Sequence, residues 1–196
     1  MPMLEVRWLG NSCVEVVSSR RILIDPCYTV EPEAPADIIL VTHEHSDHIN
    51  PEHLAKARKP ETRVYAPKST LEAYGIQGTP VRGGDEFEGV KAFSVECWKA
   101  AECIAYLADG VLHAGDAADF PSTRAVVAFT ACYPEYYSRY VESMLKVRPR
   151  LVVPVHYSPE KHMDRALGLV EELKRAGLEA RLLKPGEKLK LSGVLD

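Results

Sequence analysis

The sequence predicts one α/β domain that spans residues 1–196, and three observations favour this class. The chain has 196 residues, of which 46% are hydrophobic and 27% charged, so it can bury a core without a disulfide or a metal to stabilise the fold. Short apolar runs typical of strands fill the first quarter, and strands alternate with helices in the last third. No linker long enough to divide two domains interrupts the chain.

The strands and helices are predicted from hydrophobic spacing and turn residues. The alternation at 4–9 ends at a Gly-Asn turn signal, and the continuous apolar run at 37–42 is typical of a strand buried on both faces. A helix begins after its predicted N-cap, Asn50, and ends before Pro60. Further strands are predicted at 14–17, 21–24, 64–65, 90–95, 104–107, 111–113, 125–129, 151–155, 180–183 and 188–191, and further helices at 69–74, 134–147 and 160–176. The last helix has a predicted apolar stripe of Met163, Leu167, Val170 and Leu173.

Charge and composition exclude several classes of protein. The net charge is -4 with the seven histidines neutral, which disfavours long nucleic acid as a partner. Residues 1–5 lack the features of a signal peptide, and no apolar stretch approaches the roughly 20 residues of a membrane helix. The cysteines are odd in number and lack C-x-x-C spacing, so we expect reduced thiols in a cytoplasmic protein. They are Cys13, Cys27, Cys97, Cys103 and Cys132.

Three of the seven histidines fall within one segment, H-E-H-S-D-H, which contains His43, His45, Asp47 and His48. Imidazole and carboxylate are donors that Zn²⁺, Fe²⁺ and Mn²⁺ accept. Because four donors this close cannot all reach one small ion without strain, the segment favours two adjacent metals. It lies between a predicted buried strand and a capped helix, so rigid elements position side chains that stay open to solvent.

Later residues extend this pattern with weaker signals. Asp116 and His156 each follow a predicted strand, although alone each is more typical of a turn aspartate or a surface histidine. Asp25 either hydrogen-bonds a ligand histidine or simply ends its strand in a turn. Four tyrosines near helical spacing either line a substrate cleft or pack in the core: Tyr133, Tyr136, Tyr137 and Tyr140.

Five segments occur in a characteristic order. They are W-L-G-N-S (8–12), L-I-D-P (23–26), V-T-H-E-H-S-D-H (41–48), H-A-G-D (113–116) and V-P-V-H-Y (153–157). Together they resemble the metallo-β-lactamase superfamily of metal-dependent hydrolases, and most closely its ascorbate-6-phosphate lactonase-like branch. H-x-H-x-D-H is highly specific, whereas the other segments are persuasive only in combination. The resemblance covers nearly the whole chain and implies a four-layer αββα sandwich with metals at one edge between two sheets.

The resemblance also implies a metal site and an activity. One or two divalent ions, zinc ahead of manganese or iron, activate water against a small ester, lactone or phosphoester. The implied ligands are His43 and His45 for a first metal, Asp47, His48 and His156 for a second, and Asp116 as a bridge between them. Asp47 is also the implied catalytic residue that orients the water and accepts its proton.

The chain departs from the family at one position. The family supplies a third histidine to the first metal, but the matching stretch at 95–99 has Lys99 there, and no histidine lies between His53 and His113. Three outcomes stay open. They are a replacement ligand (Glu96, Cys97 or Cys103), a weak or empty first site with one metal on Asp47, His48, Asp116 and His156, or Lys99 as a substitute cation. The sequence slightly favours one metal or the lysine over ligand replacement.

Two functions of different class follow. The first is a hydrolase that acts on a small-molecule substrate, with Lys99 or Arg124 contacting a substrate anion. The second is a catalytically degenerate relative that binds a metal or small ligand and regulates or scaffolds, as the missing histidine suggests. The oligomeric state is not predicted from the sequence.

Overall fold

The computed structural model describes residues 3–192, and these form two β-sheets flanked by helices. The strands are β1 (Met3–Trp8), β2 (Val14–Val17), β3 (Arg21–Ile24), β4 (Ile38–Leu40), β5 (Arg63–Ala66), β6 (Thr79–Pro80), β7 (Glu86–Phe87), β8 (Val90–Val95), β9 (Cys103–Ala108), β10 (Val111–His113), β11 (Val127–Thr130), β12 (Leu151–Pro154) and β13 (Lys188–Ser192). The helices are α1 (Pro51–Lys56), α2 (Lys68–Tyr74), α3 (Tyr137–Val147), which follows a 3₁₀ turn at Pro134–Tyr136, and α4 (Met163–Arg175). Met1 and Pro2, part of the segment examined for a signal peptide, lie outside the described residues.

Each sheet contains a parallel portion, and these portions position the candidate site. The seven-stranded sheet has the order β13-β1-β2-β3-β4-β5-β6, in which β3, β4 and β5 run parallel. The six-stranded sheet has the order β12-β11-β10-β9-β8-β7, in which β10, β11 and β12 run parallel. Ligands of such sheets bind beyond the carboxyl ends of the strands. The residues after β3, β4, β10 and β12 therefore meet at one edge of the molecule.

The side chains of the strands separate the layers. Ile38 and Leu40 belong to the main apolar cluster that both sheets share, whereas Ile39, between them in sequence, packs in a second cluster with Leu54 of α1 and Leu71 of α2. This alternation follows from the two-residue period of a strand buried on both faces. Helices α3 and α4 pack on the other side, where α4 contacts β12. The predicted four-layer αββα sandwich is therefore confirmed.

The predicted start of α1 is confirmed in detail. Asn50 is its N-cap, and the Asn50 side-chain oxygen accepts hydrogen bonds from the backbone N–H of Glu52 at 2.9 Å and of His53 at 3.2 Å. The helix ends at Lys56, before Pro60, as predicted. This cap fixes the end of the loop that carries the histidine motif.

Two element predictions are wrong. The predicted strand at 180–183 is reduced to one isolated bridge between Val152 and Ala180. The predicted apolar stripe of α4 is also displaced, because Met163 is 37% exposed and Leu167 48% exposed. The buried face is instead formed by Ala166, Leu169, Val170 and Leu173. Small residues such as Ala166 allow close packing on this face, whereas the predicted stripe gave weight to the larger side chains.

The expectation of five reduced cysteines is wrong for two of them. Cys97 and Cys103 form a disulfide across the β8–β9 hairpin, with their Cα atoms 6.0 Å apart. Spacing alone did not indicate it, because the two residues become neighbours only when β8 and β9 pair antiparallel. A cytoplasmic location stays a prediction. Within residues 3–192, no helix is long and apolar enough to cross a membrane.

Candidate metal centre

All six predicted metal ligands meet at the edge where the parallel strands end. His43, His45, Asp47 and His48 lie on the loop between β4 and α1, Asp116 follows β10, and His156 follows β12. Two groups form there. We call Asp47, His48, Asp116 and His156 the His48 cluster, and His43 with His45 the His45 pair.

The His48 cluster brings two imidazoles and two carboxylates into contact. The Nε2 atom of His48 lies 3.1 Å from Asp116 Oδ1, and His156 Nε2 lies 3.3 Å from the same oxygen. His156 Nε2 is also 3.0 Å from Asp47 Oδ2. One atom each from Asp47, His48 and His156 lies within 4.8 Å of the others. These separations suit donors that share one small cation.

Outer partners orient both histidines of the cluster. His48 Nδ1 lies 2.7 Å from Asp25 Oδ2, so Nδ1 keeps its proton and Nε2 is the nitrogen that can bind a metal once it is deprotonated. His156 Nδ1 lies 3.0 Å from the hydroxyl of Tyr133, which holds the orientation of this second ring. The sequence left open whether Asp25 bonds a ligand histidine, and the structure places it on His48. Tyr133 belongs to the predicted tyrosine group, in which Tyr140 is instead fully buried in the core.

The charge of the His48 cluster calls for a cation. Asp116 Oδ1 is buried and receives no hydrogen bond of normal geometry, although two imidazole nitrogens face it. Burial lowers the pKa of His48, but the carboxylates of Asp25 and Asp116 outweigh it and raise that pKa to about 10. The hydrogen bond from His156 lowers the pKa of Asp47 to about 2. A divalent metal satisfies all these acceptors, so the residues present fit the implied ion.

The backbone is strained at two residues whose side chains lie in or beside the cluster. Asp25 and His156 have φ values of 54° and 64°, in the left-handed region that residues with a Cβ rarely adopt. Gly115, with φ of 57°, must be glycine because a Cβ there would lie 2.7 Å from Thr42 Oγ1. His113 stabilises the same turn, since its Nδ1 accepts the Gly115 N–H at 3.0 Å and its Nε2 donates to the Ser12 carbonyl at 2.7 Å. His113 therefore has no free nitrogen for a metal.

The His45 pair is less complete. His43 Nε2 lies 3.1 Å from His45 Nδ1 and 3.8 Å from Asp116 Oδ2, and His43 Nδ1 lies 3.0 Å from Thr42 Oγ1. Burial, reinforced by the charge of His48, lowers the pKa of His43 to about 3, so this imidazole is neutral. The pair offers two nitrogen donors and one distant carboxylate oxygen, fewer than the four of a tetrahedral site. His43 also groups with His48 and Asp116, whose ligand atoms lie within 4.8 Å of one another, but both of these residues belong to the His48 cluster.

The disulfide bears on the predicted replacement ligands. Cys103 Sγ lies 3.7 Å from His43 Nδ1, and Cys97, Cys103 and His43 together have the composition of a metal site. A metal binds the thiolate, however, and both sulfurs are consumed in the disulfide. Glu96 is exposed and belongs to none of the metal-binding groups found within residues 3–192. In the disulfide form, the first metal therefore gains no replacement ligand from the cysteines.

Lys99, predicted as a substrate contact or a substitute cation, lies away from the ligands. Its Nζ sits over the ring of Trp98 at 4.3 Å from the ring centroid, and Trp98 is 72% exposed. The segment is tied to the histidine loop by its backbone, because the Ala101 N–H donates to Glu44 Oε1 at 2.6 Å. No contact between Lys99 and a predicted ligand is seen in the described part of the chain. Its predicted role in substrate binding stays a prediction.

A cleft opens beside the His48 cluster. Its walls include two cluster members, Asp47 and His156, together with Tyr133 and Arg165. The sequence did not single out Arg165, because an arginine in the first turn of an amphipathic helix is typical of a solvated face. Arg124, the other predicted anion contact, is exposed and does not line this cleft.

Known proteins agree with this fold. The beta-lactamase superfamily domain matches residues 5–156. A UPF0173 metal-dependent hydrolase from Thermus thermophilus is 30% identical, and the alignment covers 96% of this chain and 100% of that protein. A UPF0173 metal-dependent hydrolase from Thermococcus onnurineus is 29% identical with the same coverage.

Two solved structures share the fold. Igni18, a metallo hydrolase from Ignicoccus hospitalis, has a TM-score of 0.75 at 20% identity and covers 98% of this chain and 100% of its own. A protein from Parabacteroides distasonis, provisionally described as a metal-dependent hydrolase, has a TM-score of 0.76 at 22% identity, with 92% and 93% covered. The family match spans more than half of the chain, and the Thermus relative spans nearly all of it. The chain therefore belongs to the beta-lactamase superfamily, in the UPF0173 group of metal-dependent hydrolases.

Proposed function

We propose that the protein hydrolyses a small ester, lactone or phosphoester with water activated at one divalent metal bound by the His48 cluster. One observation carries the proposal: the buried Asp116 Oδ1 lacks a hydrogen bond while the Nε2 atoms of His48 and His156 face it at 3.1 and 3.3 Å. A cation bound between these groups would stabilise the buried carboxylate. We propose zinc as the metal, because imidazole and carboxylate are donors that it accepts. Manganese and iron accept the same donors.

The reaction divides among the residues that line the cleft. When bound, a divalent metal lowers the pKa of water from 15.7 to about 7 and polarises the oxygen of the substrate. Asp47 is 51% exposed, and its carboxylate can accept a hydrogen bond from the attacking water and orient it. Burial raises the pKa of Tyr133, so its phenol keeps its proton and can donate to a substrate oxygen. The water oxygen bonds to the acyl carbon or phosphorus, the bond to the leaving oxygen breaks, and one water proton ends on that oxygen.

The test combines metal loading with a substrate panel. Protein stripped with a chelator and reloaded with Zn²⁺, Mn²⁺ or Fe²⁺ is assayed on lactones, esters and phosphodiesters. We expect turnover that depends on metal and a loss of about 100-fold in kcat for Asp47→Asn, the low end of a general acid–base contribution. Asp119→Asn is the matched control, because Asp119 is an exposed carboxylate that pairs with Arg139. Metal binding without turnover of any substrate would favour the degenerate alternative.

A further inference from the structure

The cleft beside the metal centre is lined by two groups of residues. Asp47 and His156 belong to the His48 cluster, and Ser158, His162 and Arg165 come from the start of α4 and the segment just before it. Its volume is about 200 Å³, below the roughly 300–1,000 Å³ of pockets for drug-sized ligands. A molecule that contacts both groups is therefore a small one.

Arg165 brings a positive charge that no acidic side chain pairs with among residues 3–192. Arg7 and Arg20, by contrast, form ion pairs with Glu15 and Asp109 at 2.7 and 2.8 Å. The backbone of Arg165 is already used, since its N–H donates to the His162 carbonyl at 3.1 Å and its own carbonyl accepts from a tyrosine hydroxyl. A partly buried guanidinium with no carboxylate partner is available to an anion that enters the cleft.

Arg165 shares the cleft with residues of the proposed reaction. Tyr133, Asp47 and His156 line the same cleft as Arg165, and the Tyr133 hydroxyl lies 3.0 Å from His156 Nδ1. A substrate held by Arg165 lies within electrostatic range of the residues proposed to act on its scissile bond.

The neighbours of Arg165 add one further donor. His162 is the N-cap of α4, and its side chain makes no capping hydrogen bond, so its ring is free to contact a ligand. Ser158 offers less, because its hydroxyl donates to Glu160 Oε2 at 2.8 Å. Arg165 and His162 thus line the same cleft as the carboxylate of Asp47.

We propose that Arg165, assisted by His162, binds a negatively charged group of the substrate. The enzyme then selects small esters, lactones or phosphoesters that carry a carboxylate or phosphate away from the scissile bond. This inference rests on the proposed function, because it assigns a substrate-binding role to residues that line the cleft in which hydrolysis takes place. In this proposal Arg165 has the anion-binding role predicted for Lys99 and Arg124, both of which are exposed and outside the cleft.

The test compares two esters that differ in one charge. Metal-loaded protein is assayed on phenyl acetate, which is neutral, and on the phenyl monoester of succinic acid, which carries a free carboxylate. We expect Arg165→Gln to raise KM for the anionic ester about tenfold with kcat little changed, the effect of losing one charge-assisted hydrogen bond, and to leave the neutral ester unaffected. Arg165→Lys should restore part of the affinity. Arg124→Gln is the matched control and should change neither ester.

Binding of inorganic phosphate, measured by calorimetry on the same metal-loaded proteins, gives a second readout. We expect Arg165→Gln to weaken phosphate about tenfold and Arg124→Gln to leave it unchanged. Equal effects of Arg165→Gln on both esters, or no effect on the anionic ester and phosphate, would overturn the inference. If the wild-type protein hydrolyses neither ester, the proposed function loses support, while the phosphate result still decides the role of Arg165.

Discussion

The two halves of the metal centre come from one short loop, yet they differ in completeness. The His48 cluster combines two loop residues with Asp116 and His156 from the other sheet, and Asp25 and Tyr133 orient its imidazoles. The His45 pair gains a remote oxygen of Asp116 at 3.8 Å, and the further donor near His43, His48, already belongs to the His48 cluster. A metal site therefore depends on residues distant in sequence as much as on the motif that signals it.

The electrostatic surroundings of the two halves also favour the His48 cluster as the cation site. In the His48 cluster, carboxylates raise the pKa of His48 to about 10, so the metal-free site already stabilises one positive charge, that of the His48 proton. In the His45 pair, burial lowers the pKa of His43 to about 3, because little negative charge compensates for the loss of water. We therefore expect the cluster to be the tight site for a divalent cation.

The largest expected effect on metal affinity comes from His156→Ala in the His48 cluster, and His45→Ala in the His45 pair is its comparison. His156→Ala removes a direct ligand of the proposed metal, so its Kd should rise by more than the roughly 10- to 100-fold that loss of an outer partner costs. His45→Ala should change the Kd of the first bound metal by less than about threefold. Competition with a fluorescent chelator measures both, and the reverse ranking would move the metal to the His45 pair.

The pH dependence of metal affinity should also distinguish the halves. A metal at the His48 cluster must displace the proton of His48, which is present below about pH 10 in the metal-free protein. Its affinity should therefore rise with pH, by roughly 100-fold between pH 6.5 and 8.5. A metal held at the neutral His43 would displace no proton from that imidazole, so a flat profile would contradict the assignment.

Asp25→Asn tests the outer partner of the cluster. The amide keeps the shape of the side chain but cannot hold His48 in the required tautomer by charge, so metal affinity should fall by about 10- to 100-fold. Its pH profile should become shallower, because the pKa of His48 loses one of the carboxylates that raise it. Asp109→Asn, at the turn between β9 and β10 and paired with Arg20, is the control and should leave affinity unchanged. An unchanged affinity in Asp25→Asn would argue against this role.

Lys99→His should have the smallest effect. The position corresponds to the missing family histidine, yet Lys99 lies at the surface over the exposed ring of Trp98. Histidine there should not add a second metal, because its side chain starts away from the His45 pair. Elemental analysis of the variant should give the same metal content as the wild type. A second equivalent of metal would revive the hypothesis that this one substitution costs the protein a metal.

The sequence predicted the fold, and it predicted that the six candidate ligands lie together, because both depend on local signals. Buried strands, the Asn50 cap and the spacing of H-x-H-x-D-H are readable in short windows, and the order of the five segments placed Asp116 and His156 in the same site. The sequence could not assign the partners of those ligands. The contact of Tyr133 with His156 depends on how the loops after β11 and β12 pack together.

The same limit explains the errors. Cys97 and Cys103 form a disulfide only because the register of β8 and β9 brings them together. Lys99 is exposed because it lies in the connection between those strands, where its Nζ sits over the exposed ring of Trp98. Arg165 acquires its significance from the absence of an acidic partner within residues 3–192, which a sequence does not record. In each case the presence or absence of a contact between residues distant in sequence determines the role of a residue that is ordinary in its local sequence.

The location and number of the bound metal ions test the role of the His48 cluster most directly. Crystals of the zinc-loaded protein, measured on both sides of the zinc absorption edge, locate the metal by its anomalous signal, and elemental analysis counts it. We expect one zinc per chain, between Asp47, His48, Asp116 and His156. Two zinc ions of equal occupancy, or a single ion between His43 and His45, would contradict the account.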